Sequence, residues 1–413
     1  MSSPAFTLES LLAPVTLNEF FSDYWEKAPL VISHREPARY RALLGVSDID
    51  FILSSAFTAD KAAVEALGTA EVEKSLKEVS ATHVSELYDA YRRGSTVRVS
   101  RVHRHWKPIC ELCRSLEQSF AFPVRANLYC TPASAGTSPR HYDTHDVLVL
   151  QISGRKSWRI YKPLVQLPLE SVPPLPFEDR TAMLKYARGG PRKARANIDD
   201  DECGEPVSEL MLTAGDLLYI PRGFLHEAWT TDEPSTHVTI GLHVVQWLDL
   251  LSVALAQVSN RDVRFRQALP AGPDARNELE ELFTALVEVF ARQASLKDAA
   301  EELANSFVQS RQAVGDGTLS GSIPTTDIDG NTLLEHRPGL LCRFAQNGGA
   351  VGIISAHRAL WMPPGFDEAL RFISTTRQFR AGEIPGQMTE TSKLSLARRL
   401  LDDGFVRIAG KVG

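Results

Sequence analysis

The sequence has no long apolar run, few cysteines and no surplus of positive charge. Because no stretch approaches the roughly 18 consecutive apolar residues that cross a bilayer, we expect no transmembrane helix. The first residues lack the basic and apolar segments of a secretory signal. Five cysteines in 413 residues indicate reduced thiols of a cytoplasmic protein. The net charge of -6 gives no argument for direct binding to nucleic acid or to an anionic membrane.

A chain of this length predicts two or three domains, because a single core rarely grows so large. The first 120 or so residues show mostly helical spacing. From about residue 122 the texture changes to short β-branched and aromatic segments that Gly, Pro, Asp and Ser separate. These segments are FPVRANLYCTP, DVLVLQISG, KSWRIYKP, GDLLYIPRG, LHEAWTT and THVTIGLHVV. Six strands without intervening long helices predict a barrel or jelly roll in place of a doubly wound sheet.

Three further regions flank or interrupt this β core. Residues 164–207 are Pro-rich, then basic, then acidic, which predicts a surface excursion that either is simply solvated or carries binding function. Residues 246–312 return to helical periodicity, and the apolar face of NELEELFTALVEVFARQ needs a cover from its own domain or from a second copy of the chain. Residues 313–413 predict helices with a small strand pair, an arrangement similar to a winged helix. Its weak basic content favours an interaction role over DNA binding.

Two segments carry the residues of a candidate metal site. His141 and Asp143 in SPRHYDTHD lie two residues apart, so a strand would point both to one side. His226 in AGDLLYIPRGFLHEAW follows a buried strand and a Pro-Arg-Gly turn, which would deliver a third ligand. Two histidines and one carboxylate are the ligand set of non-haem Fe(II) oxygenases. The alternative for the first pair is an Asx turn. Competing histidines are His145, His237, His243, His103 and His105.

Lys156 in GRKSWRIY is a second unusual residue. A lysine on a strand that also carries Trp158 and Ile160 is costly to bury unless it meets an anion. The alternative is a side chain that reaches solvent. Arg155 and Arg159 are its basic neighbours and should face the other side of the strand.

Together, NLYCTP, SPRHYDTHDVLVLQISGRKSWRIY and AGDLLYIPRGFLHEAW…STHVTIGL resemble the JmjC-type ribosomal oxygenases over residues 120–245. The resemblance implies a mixed α/β chain with a double-stranded β-helix (jelly-roll, cupin) core. It further implies a JmjC catalytic domain over residues 1–245, a helical dimerisation region over 246–312 and a winged-helix domain over 313–413. The expected assembly is a homodimer.

The same resemblance implies roles for single residues. His141, Asp143 and His226 would bind Fe(II), and Lys156 would pair with the distal carboxylate of 2-oxoglutarate, the cosubstrate used with O2. Asn127 matches a position on the cosubstrate side and Tyr129 one on the substrate side, where the alternative for Tyr129 is a plain strand residue. The chain departs from the family at Gly241, where a serine is frequent, and in the length of the 164–207 insertion.

The expected reaction is hydroxylation of an amino-acid side chain of a protein, with a His or Arg of a ribosomal protein as the substrate that the resemblance implies. One alternative is another protein or a biosynthetic peptide as substrate. Demethylation of methyl-lysine uses the same iron chemistry, but the sequence has no aromatic-cage signature that favours it. A different class of function is a non-enzymatic metal-binding cupin scaffold. Zn, Mn or Ni would fit the same ligands.

Overall fold

The computed structural model describes most of the chain, which divides into two compact units between Val244 and Val245. The described residues are 6–68, 83–163, 165–169, 203–271, 275–311, 328–356 and 358–410. The predicted domain boundary at residue 312 and most of the 164–207 insertion lie outside them. Within the described residues, no helix is both long enough and apolar enough to cross a membrane.

The first unit begins with helices that cover one face of a sheet. They are α1 (Leu8–Leu12), α2 (Leu17–Glu19) with a π-helical turn at Phe20–Tyr24, α3 (Ile49–Ala59), α4 (Val84–Arg92) and α5 (Lys107–Phe120), with 3-10 turns at Val46–Asp48, Lys61–Ala63 and Val102–Arg104. Thr7 and Thr16 accept backbone hydrogen bonds as N-caps of the first two helices. Helix α5 has Pro108 in its first turn, where the missing N–H costs nothing.

Ten antiparallel strands follow or interleave with these helices. They are β1 (Leu30–Ile32), β2 (Val64–Leu67), β3 (Thr96–Val99), β4 (Val124–Thr131), β5 (Gly136–His141), β6 (Asp146–Pro163), β7 (Ser208–Thr213), β8 (Leu217–Ile220), β9 (Phe224–Trp229) and β10 (Ser235–Leu242). One face has the order β1-β8-β6-β10-β4-β3-β2, and β5, β9 and β7 assemble around the far half of β6. A long strand shared by two sheets gives the two-layer arrangement of a jelly roll.

The two segments predicted as separate strands, DVLVLQISG and KSWRIYKP, form the single strand β6. Its first half pairs with β8 and β10, and its second half pairs with β7 and β9. Gly154 lies between the halves at φ +66, and a Cβ there would approach Pro234 O to 1.7 Å. The glycine therefore marks a bend inside a strand and not its end.

Alternation along the strands separates two apolar clusters. Leu148 and Leu150 of β6 pack in the cluster that includes the N-terminal helices. Val147 and Val149, one residue out of phase, pack with Trp158 and neighbours between the two sheets. Because both faces of the first half of β6 are buried, residues 147–150 of that half form a continuous apolar run with no polar alternation. In the first half of β6, the odd-numbered residues Val147 and Val149 line the cavity of the candidate site.

Strands β5 and β7 were not among the six predicted β segments, although a strand was expected to carry His141 and Asp143. The segment of β5 contains Gly136 and Pro139, which normally weaken a strand assignment. Strand β7 alternates exposed and buried residues in SELMLT and is too short to stand out beside acidic neighbours. Both strands depend on pairing with distant partners, β9 and β6, that a local pattern cannot reveal.

The second unit is helical first and mixed afterwards. Its helices are α6 (Trp247–Arg261), α7 (Ala275–Gln293), α8 (Leu296–Gln309), α9 (Asp367–Thr375) and α10 (Glu390–Asp402), with 3-10 turns at Val263–Arg266 and Ala381–Glu383. Its strands are β11 (Leu333–His336), β12 (Cys342–Asn347), β13 (Ala350–Ser355), β14 (Arg358–Met362), β15 (Gln378–Arg380) and β16 (Val406–Ile408). They form two three-stranded antiparallel sheets, β15-β11-β16 and β12-β13-β14.

Candidate metal centre

The structure brings together the three residues that the sequence nominated. His141 lies at the end of β5, Asp143 directly follows that strand, and His226 lies on β9. One ligand atom from each residue lies within 4.8 Å of the other two. Two imidazole nitrogens and one carboxylate at this spacing match the ligand types of a facial metal site.

Strand pairing sets the distance between the two histidines. His141 and His226 are direct partners in the antiparallel β5–β9 pair, and their ring centroids are 4.4 Å apart. Directly opposite side chains on one face of a sheet lie close enough to share a ligand. The pairing of β5 with β9 therefore brings the two histidines together, and the local sequence alone does not.

Asp143 reaches the site differently from the prediction. Strand β5 ends at His141, so the strand alternation predicted to align His141 with Asp143 does not extend to the aspartate. A turn carries Asp143 instead, and its Oδ2 lies 3.7 Å from His226 Nε2. Its backbone oxygen accepts a 3.0 Å hydrogen bond from Gly223 N, which joins the two segments that carry the site.

The ring of His226 is held in one orientation. Its Nδ1 lies 3.0 Å from the carbonyl oxygen of Phe224, and a carbonyl only accepts, so Nδ1–H is the donor. This tautomer leaves the Nε2 lone pair directed toward Asp143 and His141. Backbone carbonyls commonly orient metal-binding imidazoles in this way.

A cavity extends from these three side chains between the two sheets. Its other lining residues are Tyr129, Val147, Val149, Lys156, Trp158, Ala228, His237 and Thr239. Among these described lining residues, Asp143 supplies the single carboxylate, whereas Lys156 and three histidines supply basic groups. The cavity therefore suits an anionic ligand.

Lys156 is the most unusual of the lining residues, since it is only 2% exposed. Its Nζ donates a 3.1 Å hydrogen bond to Thr131 Oγ1, and Thr131 Oγ1 in turn accepts from Thr96 Oγ1 at 3.2 Å. Burial lowers the pKa of Lys156 to about 7. Thr131 accepts one hydrogen bond from this buried amine, and the binding of an anion would stabilise its charged form.

The neighbouring arginines point away from the cavity, as the alternation of the strand predicted. Arg155 pairs with Glu233, and Arg159 donates to Glu209 at 3.1 Å.

Thr131 was not predicted from the sequence as a site residue. Its position two residues after Tyr129 on β4, hence on the same face, was the available signal.

Tyr129 forms part of the cavity wall together with a buried histidine. Its ring stacks on His237 with centroids 4.9 Å apart and an interplanar angle of 4°. His237 is 3% exposed, and burial followed by the charge of Lys156 places its pKa well below the ordinary value. Among the described residues, His237 Nδ1 and Trp158 Nε1 are buried without a hydrogen-bond partner. Two free polar atoms beside Lys156 fit a polar ligand in this cavity.

Asn127 lies on the same face of β4 as Tyr129 but is not among the residues that line the cavity. Its Oδ1 accepts a 2.9 Å hydrogen bond from Arg101 N, which ties β4 to the turn before α5. The structure thus gives Asn127 a backbone partner within the protein.

None of the competing histidines joins the three-residue group, although His237 lines the same cavity. His103 Nδ1 accepts from Ala126 N at 3.1 Å, and burial lowers its pKa to about 4. His145 and His243 stack with centroids 4.6 Å apart over Gly241. A Cβ at Gly241 would lie 2.8 Å from the His145 ring, so the stacked pair requires glycine there.

An antiparallel two-sheet barrel with two histidines and a carboxylate converging at its cavity defines a cupin-like protein. Residues 100–250 match the JmjC domain family, so this segment of the chain is a JmjC domain. Ribosomal oxygenase 1 of Gallus gallus is 30% identical over 318 residues, which cover 72% of this chain and 50% of that protein. A Drosophila persimilis protein named bifunctional lysine-specific demethylase and histidyl-hydroxylase NO66 is 28% identical over 271 residues. This alignment covers 64% of this chain and 36% of the Drosophila protein.

Among solved structures, YcfD, a ribosomal oxygenase from Escherichia coli in complex with cobalt and 2-oxoglutarate, has a similar fold. The TM-score is 0.51 at 16% sequence identity, and the alignment covers 95% of this chain and 98% of YcfD. By contrast, this chain spans half or less of the length of the two curated relatives. The predicted resemblance to JmjC ribosomal oxygenases is confirmed at the level of family and cupin-like fold.

Proposed function

We propose that this protein is an Fe(II)- and 2-oxoglutarate-dependent oxygenase that hydroxylates a side chain of a protein substrate. One observation carries the proposal: two imidazoles and one carboxylate lie within 4.8 Å of one another at a cavity that also contains a buried lysine. The relatives named as ribosomal oxygenases and the YcfD complex with cobalt and 2-oxoglutarate support it.

His141, Asp143 and His226 hold the metal in this proposal. Fe(II) with 2-oxoglutarate and O2 supplies the oxidation: one oxygen atom enters a substrate C–H bond, and 2-oxoglutarate loses CO2 to become succinate. The protein contributes position. The Phe224 carbonyl fixes the His226 tautomer, and the β5–β9 register fixes the approach of His141. His141, Asp143 and His226 would hold the metal, and the cavity beside them would receive the cosubstrate.

Lys156 anchors the distal carboxylate of 2-oxoglutarate. Its amine is protonated by proximity to that anion, and Thr131 holds the side chain in the required orientation. Tyr129 contributes to the wall on the substrate side. Asn127 acts on the cosubstrate side indirectly. Its side-chain Oδ1 accepts a hydrogen bond from Arg101 N, which holds the chain after β3 beside β4.

The substrate is a His or Arg side chain of a ribosomal protein. The names of the relatives support this choice, because they include ribosomal oxygenases and histidyl-hydroxylases. The name of the Drosophila relative also includes lysine demethylase, which makes demethylation of a methyl-lysine the second candidate. The further alternatives are a biosynthetic peptide as substrate and a non-enzymatic cupin scaffold, and the experiment below tests the scaffold.

The second unit supplies a homodimer interface and an interaction domain. Helices α6 and α7 expose large apolar side chains, among them Trp247 at 76% and Phe283 at 66% exposure. Such a surface normally becomes buried against a partner, and a second copy of the chain satisfies this need with a symmetric contact. Residues 313–413 act as a winged-helix domain for protein contacts, without direct nucleic-acid binding, in a cytoplasmic enzyme.

The test is succinate formation from 2-oxoglutarate with Fe(II) and ascorbate, with and without ribosomal-protein peptides. Stimulation by one peptide, with a mass increase of one oxygen atom on a His or Arg, supports the proposal. Stimulation by a methyl-lysine peptide with loss of the methyl group favours the demethylase. Metal binding without succinate under any of these conditions favours the scaffold.

A further inference from the structure

A buried ion pair connects the two segments that carry the proposed metal ligands. Asp146 opens β6, shortly after Asp143, and is fully buried. Arg222 lies in the turn between β8 and β9, shortly before His226, and is 6% exposed. Val147, the next residue along β6, lines the cavity, so strand alternation directs Asp146 to the opposite face.

Asp146 binds both the side chain and the backbone of this turn. Its Oδ2 accepts from Arg222 Nη1 at 3.0 Å, and its Oδ1 accepts from Arg222 N at 3.2 Å. The hydroxyl of Tyr219 on β8 donates a further 2.8 Å bond to Oδ1. Three donors from residues 219–222 therefore converge on one carboxylate, which fixes the start of β6 against the turn before β9.

The remaining charge of Arg222 is met by Glu26, whose Oε1 lies 2.5 Å from Nη1. Glu26 N also donates to the Tyr219 hydroxyl at 3.0 Å. The network is thus closed by the N-terminal helical region, and its members hold each other in one arrangement. Arg222 Nε has no hydrogen-bond partner among the described residues, but the other contacts of Asp146 and Arg222 join the two segments through several bonds at once.

Stability alone is a poor explanation for such a pair. Removing two charges from water costs about as much as their attraction returns, so apolar residues of similar volume would stabilise the fold equally well. What an ion pair adds is geometric specificity between the two segments. Here the segments are those that deliver His141 and Asp143 on one side and His226 on the other.

We infer that Asp146 and Arg222 are positioning residues that set the spacing of the proposed metal ligands. This inference rests on the proposed metal centre. Its consequence is that loss of the pair weakens metal binding more than it weakens the fold. The Gly223 N to Asp143 O bond next to the pair transmits the position of the turn to the ligand segment.

Co(II) binding to the full-length protein tests the inference, with visible absorption as the readout of ligand geometry. We expect Asp146→Asn and Arg222→Met to raise the Kd for Co(II) at least about tenfold and to change the absorption bands. Arg222→Lys keeps the cation and should recover part of the affinity. Thermal unfolding of the metal-free variants, followed by circular dichroism, measures the effect on the fold separately.

The Arg114–Glu117 pair of α5 provides the matched control. Both residues are buried, at 8% and 2% exposure, and Glu117 also accepts from a backbone amide, Val124 N. Glu117→Gln should lower the melting temperature to a similar extent while leaving the Co(II) Kd within about twofold of wild type. Equal loss of Co(II) affinity in this control would overturn a specific role for Asp146.

If a single variant fails to fold, the double variant Asp146→Asn/Arg222→Met tests the inference instead. It removes both charges of the pair, so neither is left buried without its partner. A folded double variant with wild-type Kd and absorption bands overturns the inference alone. A wild-type protein that binds no Co(II) overturns the metal centre, and the inference with it. Weakened Co(II) binding in a folded double variant supports it.

Discussion

His141 and His226 face each other across the β5–β9 pair with ring centroids 4.4 Å apart, although a long stretch of chain separates them. Since the two rings stand on one face of paired strands, their spacing depends on register. A shift by one residue would turn one ring to the opposite face. Metal affinity in this protein should therefore respond to changes in strand pairing as well as to changes of the ligands.

The ligand residues give the first prediction. His141→Ala and Asp143→Ala should abolish binding of Fe(II) or Co(II) and all succinate formation, with little change in melting temperature, because both residues are partly exposed and lie outside the apolar clusters. His145→Ala is the matched control, since it removes a nearby histidine that is not in the metal group. Retained turnover in either ligand variant would contradict the assignment.

We expect the buried Lys156 to make the free energy of unfolding depend on pH when no anion is added. Its pKa is lowered to about 7 by burial, whereas an unfolded lysine has the ordinary value of 10.5. Between these values the unfolded chain binds more protons than the folded protein, so the contribution of Lys156 to stability rises with pH. Urea unfolding of wild type and Lys156→Met from pH 7 to 9 measures the difference, and parallel pH profiles would exclude the effect.

The same lysine predicts how 2-oxoglutarate binding depends on pH. An anion must meet a protonated amine, so the Kd for 2-oxoglutarate should rise by up to about tenfold per unit above pH 7. Lys156→Ala should raise the 2-oxoglutarate requirement strongly and flatten this dependence. Calorimetry in two buffers of different ionisation enthalpy detects the proton uptake. Arg159→Ala is the control, because Arg159 is bonded to Glu209 outside the cavity.

Gly241 gives a prediction about packing. An alanine there would place its Cβ 2.8 Å from the His145 ring and 3.4 Å from His243 Nε2, so the stacked pair must separate. Gly241→Ala should cost about 1–3 kcal/mol, as overpacking does. In a His145→Ala background the same change should be neutral or slightly stabilising, because a strand glycine is itself unfavourable. Equal effects in both backgrounds, measured by urea unfolding, would show that the clash is relieved elsewhere.

The site was more predictable from sequence than the strands that build it. The spacing of His141 and Asp143 and the turn before His226 are local signals, and the structure brings these residues together. The reason given for the first pair was nevertheless wrong, since a turn and not strand alternation delivers Asp143. Strand β5 was missed because its identity depends on pairing with β9, which no local pattern encodes.

The buried groups around the site also differ in whether a local sequence signal could identify them. Lys156 could be identified because a lysine on a strand that also carries Trp158 and Ile160 is costly to bury without an anion. Thr131 and the Asp146–Arg222 pair could not, because a threonine on a strand or an aspartate before one is ordinary until its partner is known. Long-range contacts decide their roles, and these appear only in the fold.

The exposed apolar face of the second unit gives the last prediction. Phe283 and Leu279 on α7 lie one turn apart, are 66% and 42% exposed, and continue to Val287 at 49%. If this stripe is the homodimer contact, Phe283→Glu should convert a dimer into a monomer in sedimentation at micromolar concentration, because it buries a charge against an apolar surface. Glu281→Gln, on the same helix, should leave the dimer intact. A wild-type monomer, or a dimer that persists in Phe283→Glu, would move the contact away from α7, with Trp247 on α6 as the next residue to change.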